Sequence, residues 1–390
     1  MAYPSNNGAT ECLIQAQESP PKTKPHLPAI DGLRGLAAMM VVFFHCWGMN
    51  GFLASPQFSL IGTTVPLYRV FSPGYSGVYL FFVLSGFCLA YPFLSNPERG
   101  DNWPVYAMNR VRRILPPYLL SFLILFLIGQ WLHHAQIGPS DKFLYERFQT
   151  NKFIKELFLI RKSHIVNSYW TLVLEWRWYL FFPALLLLVR RISPPLMVVA
   201  LYGIAYLAQK PVLANYLATV ALGPLITCLP MFAMGIWAAH ITALKPEALH
   251  AWERWIINHS LWGVVASSLW CAALRPSAFN PSLMNFSITW GPFYFFLILA
   301  ALNHPWFKKT FSSRPFVKLG VISYSIYLLQ EPVILAGHFF IDRPNHGNVR
   351  LLFTHYLLMP ILCILAGWIF HLVGERPFMK RSAKQSISPK

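Results

Sequence analysis

Charged residues are scarce in this sequence, since Asp, Glu, Lys and Arg together make up only 12% of its 390 positions. A soluble globular protein carries about 25% charged residues, whereas 55% of this chain is hydrophobic. These values exclude an ordinary soluble domain and predict an integral membrane protein with several spans. Bases outnumber acids by 32 to 14, an excess that is typical of the cytoplasmic loops of membrane proteins. No basic run alternates with aromatic residues as on a nucleic-acid surface, so we expect no nucleic-acid partner.

Closely spaced cysteines and a cleavable leader are also missing. The six cysteines show neither the spacing of a zinc site nor that of a disulfide framework, so we expect no metal ion. The cysteines in apolar stretches are interpreted as small buried side chains. Residues 1–28 are polar and contain no apolar core followed by a cleavage site. We expect a disordered cytoplasmic tail over 1–28, a transmembrane domain over 29–376 and a cytoplasmic tail over 377–390.

Long apolar segments recur along most of the chain. A helix needs about 20 residues to cross a bilayer, and ten segments approach or reach that length, with the fifth shorter than the rest. They lie at 30–50, 75–95, 114–134, 168–189, 193–209, 218–241, 257–274, 284–303, 317–340 and 351–373. The sequence therefore predicts an all-α integral membrane bundle of about ten helices.

Lys and Arg indicate the orientation of these spans, because cytoplasmic loops are enriched in both residues. With both termini in the cytoplasm, most of the basic loops fall on the cytoplasmic side, so we expect an N-in, C-in topology. The segment 135–167 is an exception, with six bases and three acids on the opposite side. Its Phe, Leu and Ile content fits either an amphipathic helix lying on the bilayer or a plain surface helix.

Arg34 and His45 are the most informative pair of polar residues, because both lie in the first apolar segment, 11 residues apart. That spacing makes about three helical turns, so both side chains share one face and lie about 16 Å apart along the axis. A cation and an imidazole are costly to bury in a membrane helix, so they call for a functional explanation. Since the two groups are too far apart to touch, we expect them to hold different parts of one long ligand.

Four motifs follow one another along the chain. They are Asp31-Gly-Leu-Arg34-Gly-Leu-Ala with His45; Gly77-Val-Tyr-Leu-Phe-Phe-Val-Leu-Ser85-Gly86-Phe with Arg110-Val-Arg112-Arg113-Ile-Leu-Pro116-Pro-Tyr118; Tyr169-Trp170-Thr-Leu-Val-Leu-Glu175-Trp-Arg-Trp-Tyr179-Leu-Phe-Phe-Pro183; and Ser323-Tyr324-Ser325-Ile-Tyr327-Leu-Leu with Glu375-Arg376-Pro377. In these motifs and their order, the sequence resembles the acyltransferase 3 family of membrane-bound O-acyltransferases over about residues 28–381. Two positions depart from the family pattern: Tyr79, where members often carry an acid, and Gln330, where they often carry His.

The resemblance implies a donor and a general base. The donor would be acyl-CoA, most simply acetyl-CoA, acting as a co-substrate with no tightly bound cofactor. His45 would be the base, because imidazole is the side chain that suits proton transfer near neutral pH. Arg34 would bind the donor phosphates with its planar guanidinium. Alternatively, Arg34 would only extend its side chain to the membrane interface, beside Asp31. Arg110 and Arg113 would add phosphate contacts, or would simply anchor the third span on the cytoplasmic side.

Other polar residues of the motifs are candidates for the same site. Glu175 lies deep in the fourth span, where it would orient His45, pair with Arg34 or Arg177, or form a structural ion pair. Tyr324, Ser325 and Trp170 are candidate substrate-binding residues, although Ser and Tyr on membrane helices often only bond to the backbone. Ser85-Gly86 is expected to allow a close approach between two helices.

The function predicted from the sequence is transfer of an acetyl or other short acyl group from acyl-CoA to a hydroxyl of a sugar, glycan or hydroxylated small molecule. The partners would be the lipid bilayer, the donor and the hydroxyl-bearing acceptor. A proton-coupled transporter is the alternative, because ten spans with buried Arg, His and Glu would also suit such a carrier. A catalytically silent relative that acts as a scaffold is a further alternative, but Arg34 and His45 are both present.

Overall fold

The computed structural model describes ten stretches of the chain. They are residues 27–48, 57–60, 63–66, 71–96, 102–134, 156–159, 166–219, 222–274, 283–337 and 349–379. The predicted tail over 1–28 lies outside these residues except for its last two positions, and the predicted tail over 377–390 lies outside except for its first three. Most of the basic segment 135–167 lies outside as well.

Helices account for almost all of the described structure. In chain order they are α1 (Pro28–Gly48), α2 (Gly77–Leu94), α3 (Trp103–His134), α4 (Trp170–Val189), α5 (Pro194–Leu207), α6 (Pro211–Thr219), α7 (Gly223–Ala243), α8 (Ala251–Asn258), α9 (Ser260–Leu274), α10 (Leu283–Asn303), α11 (Pro305–Phe311), α12 (Arg314–Val321), α13 (Ser323–Gly337) and α14 (Val349–Phe370). Short 3-10 turns lie at Ser72–Ser76, Asn167–Tyr169, Pro246–Ala248 and Arg376–Phe378, and a π-helical turn covers His371–Glu375. The only strands among the described residues are β1 (Gln57–Leu60) and β2 (Thr63–Pro66), an antiparallel pair between α1 and α2.

The number of spans agrees with the prediction. Within the described residues, seven helices are long and apolar enough to cross a membrane, and three bent helix pairs raise the total to ten if each pair is one span. The bends are 93° between α5 and α6, 71° between α8 and α9, and 72° between α12 and α13. The all-α multi-pass membrane class is therefore confirmed. The three bends are new, because the spans at 193–209, 257–274 and 317–340 were predicted without a break, and the first two leave out α6 and most of α8.

Glycines allow the central helices α2 and α7 to cross with their backbones in direct contact. A Cβ added to Gly86 on α2 would lie 2.0 Å from the carbonyl oxygen of Phe232 on α7, and one added to Gly235 would lie 1.9 Å from that of Val83. Small residues are the usual means of close helix approach in membranes. The expected role of Gly86 is thus confirmed, and this crossing fixes α2 in the middle of the bundle.

The amphipathic helix α12 packs in the same way against the beginning of α1. A Cβ on Gly320 would lie 1.8 Å from the carbonyl oxygen of Asp31, and one on Gly35 would lie 2.6 Å from that of Phe316. The glycine face of the Asp31-Gly-Leu-Arg-Gly motif is therefore occupied by α12. Arg34 is left on a different face of α1, where it points into a cavity.

Two prolines inside helices leave carbonyl groups that tyrosine hydroxyls satisfy. Proline lacks the N–H that would bond to the carbonyl four residues earlier. Pro183 therefore frees the carbonyl of Tyr179, which accepts a hydrogen bond from the Tyr106 hydroxyl at 3.1 Å. Pro332 frees the carbonyl of Leu328, which accepts one from the Tyr169 hydroxyl at 3.0 Å. Both bonds tie the kinked helices to their neighbours, as buried backbone in a membrane requires.

Candidate active site

A cavity of about 380 Å³ lies between α1, α2, α3, α4 and α13. Its polar lining groups are Asp31, Arg34, Ser85, Cys88, Tyr91, Arg110, Arg113, Thr171, Glu175, Tyr179, Ser323, Tyr324 and Tyr327. The volume falls within the roughly 300–1,000 Å³ that is typical of small-molecule sites. The cavity therefore brings together residues from all four sequence motifs.

The cavity is elongated along α2. Its lining residues on that helix run from Val78 to Pro92, which is about 21 Å at 1.5 Å per residue. The end near the beginning of α1 and α3 carries the three arginines and Asp31. The other end is lined by apolar and aromatic side chains, among them Val78 and Phe81. One elongated ligand with an anionic end and an apolar end would fit this distribution.

Arg34 and Arg113 both line the cationic end of the cavity. The two guanidinium groups are close enough to repel each other electrostatically, and within the described residues no hydrogen bond or ion pair occupies either group. Glu375 and Glu175 are the carboxylates whose charge acts most on Arg113. Two neighbouring cations without bonded partners form a site suited to an anion.

Arg110 contributes the third cation, held in place by aromatic rings. Its guanidinium lies 5.9 Å from the ring centre of Tyr106 and 5.8 Å from that of Tyr179, which is cation–π distance. Its Nε atom is buried, and the part of the chain that the structure describes offers it no hydrogen-bond partner. Arg112 differs from both neighbours because it is exposed and does not line the cavity. Of the basic cluster, the structure thus places Arg110 and Arg113 at the site and leaves Arg112 on the surface.

Glu175 lies midway along the cavity and is bonded by hydroxyl groups. Ser85 Oγ donates to Glu175 Oε1 at 2.6 Å, and the Tyr179 hydroxyl donates to the same oxygen. Ser85 is on α2, so this bond joins α2 to α4. The expected direct pairing of Glu175 with Arg34 or His45 does not occur among these contacts.

His45 lies outside the cavity lining, near the end of α1. Its Nδ1 atom is 2.9 Å from Oε1 of Gln330 on α13, a residue with 0% exposure. Gln330 Nε2 is buried with no hydrogen-bond partner among the described residues. The residue that departs from the family pattern is therefore the one that holds the imidazole.

The three candidate substrate-binding residues have different surroundings. Tyr324 lines the cavity, and its hydroxyl donates to the carbonyl of Ile114 at 3.1 Å. Ser325 is buried away from the lining, where its hydroxyl donates to Glu375 Oε2 at 2.7 Å. That oxygen is also 2.8 Å from His371 Nδ1. Trp170 is outside the lining too, with its ring against the cavity residue Phe82.

Several site residues were not singled out by the sequence. Ser85 was interpreted only as a small residue, although its hydroxyl holds Glu175. Tyr179, which belongs to the third motif but had no role assigned from the sequence, lines the cavity. Cys88 lines it too, whereas the other four described cysteines are buried as expected. The signal for Ser85 was its place in the second motif, and nothing in the local sequence separated Cys88 from the others. Within the described residues, no group of three or more His, Cys, Asp or Glu side chains could hold a metal ion.

Comparison with known proteins gives consistent matches along the chain. The sequence profile of the acyltransferase 3 family, described as an acyltransferase domain, matches residues 27–380. A putative acetyltransferase, ORF330, of Acidianus two-tailed virus is 31% identical over 44% of this chain and 43% of its own length. The peptidoglycan O-acetyltransferase OatA of Listeria monocytogenes is 22% identical over 80% of this chain and 50% of its own length. The acyltransferase MdmB of Streptomyces mycarofaciens is 26% identical over 91% of this chain and 92% of its own length.

The coverage differs among these relatives. The chain spans about half the length of the first two and nearly all of the third. No solved structure matches the chain.

Proposed function

Because the chain belongs to the acyltransferase 3 family, we propose that it transfers an acetyl or other short acyl group from acyl-CoA to a hydroxyl of a sugar, glycan or hydroxylated small molecule. The chain is an acyl-group transferase and a multi-pass integral membrane protein. The donor, the acceptor and the roles of the residues are the content of the proposal. The observation that carries it is the elongated cavity with three arginines at one end and an apolar surface at the other.

The donor is inferred from the charge distribution. Arg34 and Arg113 repel each other and have no bonded partner in the described structure, so a bound anion would relieve their repulsion. Guanidinium groups match phosphate oxygens with parallel N–H donors. The phosphates of CoA supply such an anion, and its pantetheine arm would extend along α2 toward the apolar end. The roughly 21 Å length of the cavity suits an extended arm.

His45 is proposed as the general base. If Nδ1 donates to Gln330 Oε1, Nε2 keeps its lone pair and can take the proton of the acceptor hydroxyl. The oxygen can then attack the thioester carbonyl of the donor. Gln330 acts here as a positioning residue, since it fixes the ring but does not touch the reacting atoms.

Glu175 is proposed to act through the donor site and not through His45. Its hydroxyl partners Ser85 and Tyr179 orient the carboxylate, and its charge acts on Arg113. A carboxylate at this position keeps the guanidinium of Arg113 directed into the cavity. This role differs from the alternatives predicted from the sequence, which were orientation of His45, a pair with Arg34 or Arg177, and a structural ion pair.

The acceptor is proposed from the chemistry that the relatives' names state. OatA is named a peptidoglycan O-acetyltransferase, and ORF330 a putative acetyltransferase. These names favour acetyl as the acyl group and a sugar hydroxyl as its acceptor. The transporter considered from the sequence gains no support from the family match.

The proposal is tested by binding and slow hydrolysis of acetyl-CoA, with water as the acceptor. Wild type, His45→Ala and His259→Ala would be purified in one detergent, and labelled acetyl-CoA would report both binding and thioester cleavage. His259 is a matched control because it is exposed at the junction of α8 and α9, where its ring bonds to the carbonyl of Trp255 and stacks on the Trp255 ring. We expect His45→Ala to bind the donor like wild type and to lose cleavage by about 10²–10⁴-fold, the usual contribution of general acid–base catalysis.

The two possible failures have different meanings. Unchanged cleavage in a folded His45→Ala protein would remove His45 as the base and leave the donor assignment intact. Absence of acyl-CoA binding by wild type, across several chain lengths, would overturn the donor assignment itself.

A further inference from the structure

Two aromatic rings pack together at the apolar end of the cavity. Phe81 on α2 and Tyr327 on α13 both line the cavity, and their ring centres are 5.9 Å apart in an edge-to-face arrangement. That geometry is one of those preferred by aromatic pairs. The two rings therefore form an aromatic wall on one side of the apolar end.

This wall lies between the cavity and His45, which is outside the cavity lining. Gln330, the partner of His45, follows Tyr327 by three residues on α13, which is about one helical turn. Phe81 packs against the separate apolar cluster that includes Ala38 and Val42 of α1, between Arg34 and His45. A thioester that extends from the arginines toward His45 would therefore meet the two rings.

The two rings are held very differently. The Tyr327 hydroxyl donates to the carbonyl of Ser168 at 2.6 Å and also contacts the Thr171 hydroxyl, and the residue is 6% exposed. Phe81 has no polar group to anchor it, and it is only partly buried. Tyr327 is thus anchored by hydrogen bonds, whereas Phe81 is held by packing alone, and in both cases the ring itself fills the space at this end of the cavity.

We propose that Phe81 limits the length of the acyl group that this enzyme accepts. The inference rests on the proposed function, because it assumes that the thioester reaches the apolar end of the cavity. The ring of Phe81 leaves room for a short acyl group beside Tyr327 and blocks longer chains from the path to His45. A smaller side chain at position 81 opens the space that additional methylene groups would fill.

The expected gain follows from hydrophobic transfer. Burying one methylene group favours binding by about fourfold, so the two additional methylenes of a butanoyl group favour it by at most about fifteenfold over acetyl. Because water serves as the acyl acceptor in this assay, the natural acceptor need not be known. The measured quantity is the ratio of kcat/KM for hydrolysis of butanoyl-CoA to that of acetyl-CoA.

The experiment compares wild type, Phe81→Ala, Phe81→Leu and Tyr327→Phe. Tyr327→Phe is the control that keeps the ring and removes the hydroxyl, so its ratio should equal that of wild type whatever its absolute rate. We expect Phe81→Ala to raise the ratio by about tenfold. Phe81→Leu should raise it less, and it serves as the test if Phe81→Ala does not fold.

The outcomes separate this inference from the function on which it rests. If wild type hydrolyses acetyl-CoA and the ratio stays within about twofold in the folded Phe81 variants, Phe81 does not set chain length and only this inference is overturned. If wild type neither binds nor hydrolyses any acyl-CoA, the donor assignment is overturned and this inference is overturned with it. A raised ratio in Tyr327→Phe as well would assign the effect to loosening of the whole wall and would contradict the role given to Phe81.

Discussion

The crossing of α2 and α7 makes a sharp prediction about stability. In Gly86→Ala the new Cβ would lie 2.0 Å from the carbonyl oxygen of Phe232, whereas Cβ atoms essentially never approach another heavy atom within 3.0 Å. The two helices must therefore separate locally by about 1 Å. The obstacle is backbone on both sides, so no side chain can rotate away to relieve it.

The magnitude follows from two opposing effects. Overpacking a tight contact costs about 1–3 kcal/mol, and backbone contact places this case at the upper end. Ala is about 1 kcal/mol better than Gly in a helix interior, so we expect a net loss of about 2 kcal/mol for Gly86→Ala. Gly203→Ala on α5 is the matched control, because no atom lies within 4 Å of its added Cβ. That control should be neutral or more stable by up to about 1 kcal/mol.

The assay is the thermal unfolding midpoint of the purified proteins in one detergent. Gly86→Ala should unfold several degrees below wild type, and Gly203→Ala should not. Activity provides a second readout, since Ser85 precedes Gly86 and its bond to Glu175 depends on the position of α2. If Gly86→Ala unfolded at the same temperature as Gly203→Ala, the backbone contact between α2 and α7 would be refuted.

Two further predictions concern the tyrosine bonds and the arginine cluster. In Tyr106→Phe the carbonyl of Tyr179, already freed by Pro183, loses its hydroxyl donor. This change should lower the free energy of unfolding by about 1–3 kcal/mol. The control Tyr206→Phe, at an exposed position, should stay within about 0.5 kcal/mol of wild type. Arg113→Ala should raise the KM for acetyl-CoA but not for acetyl-pantetheine, which lacks the nucleotide and its diphosphate. The control Arg112→Ala, at the exposed neighbouring position, should change neither KM. Equal effects of Arg113→Ala on both thioesters would show that Arg113 does not bind phosphate.

The spans could be predicted because they depend on local sequence, whereas the candidate residues His45, Ser325 and Trp170 lie outside the cavity lining. Runs of apolar residues set the lengths of the helices, and the helical period places Arg34 and His45 on one face of α1. The close approach at Gly86 also followed from a small residue inside an apolar segment. These features need no knowledge of which helices become neighbours.

The contacts of the site could not be predicted, because they join helices distant in sequence. Gln330 is 285 positions from His45, and Ser85 is 90 positions from Glu175. Spacing along one helix says nothing about which side chain of another helix will face it. The sequence also gives little local indication of the helix bends. For example, α12 and α13 meet at 72° around Ile322, with no proline or glycine at the break itself.

The basic cluster shows most clearly what packing adds to sequence. Arg110, Arg112 and Arg113 lie within one helical turn, and all three fit the ordinary pattern of cytoplasmic anchors. In the fold Arg112 faces outward, while Arg110 and Arg113 join Arg34 around one cavity. Anchoring a span requires only that cations reach the interface, and it does not require that cations from two helices meet around one cavity. Asp31, Glu175 and Glu375 offset part of this charge, and a bound anion, as proposed for the donor phosphates, would offset more of it.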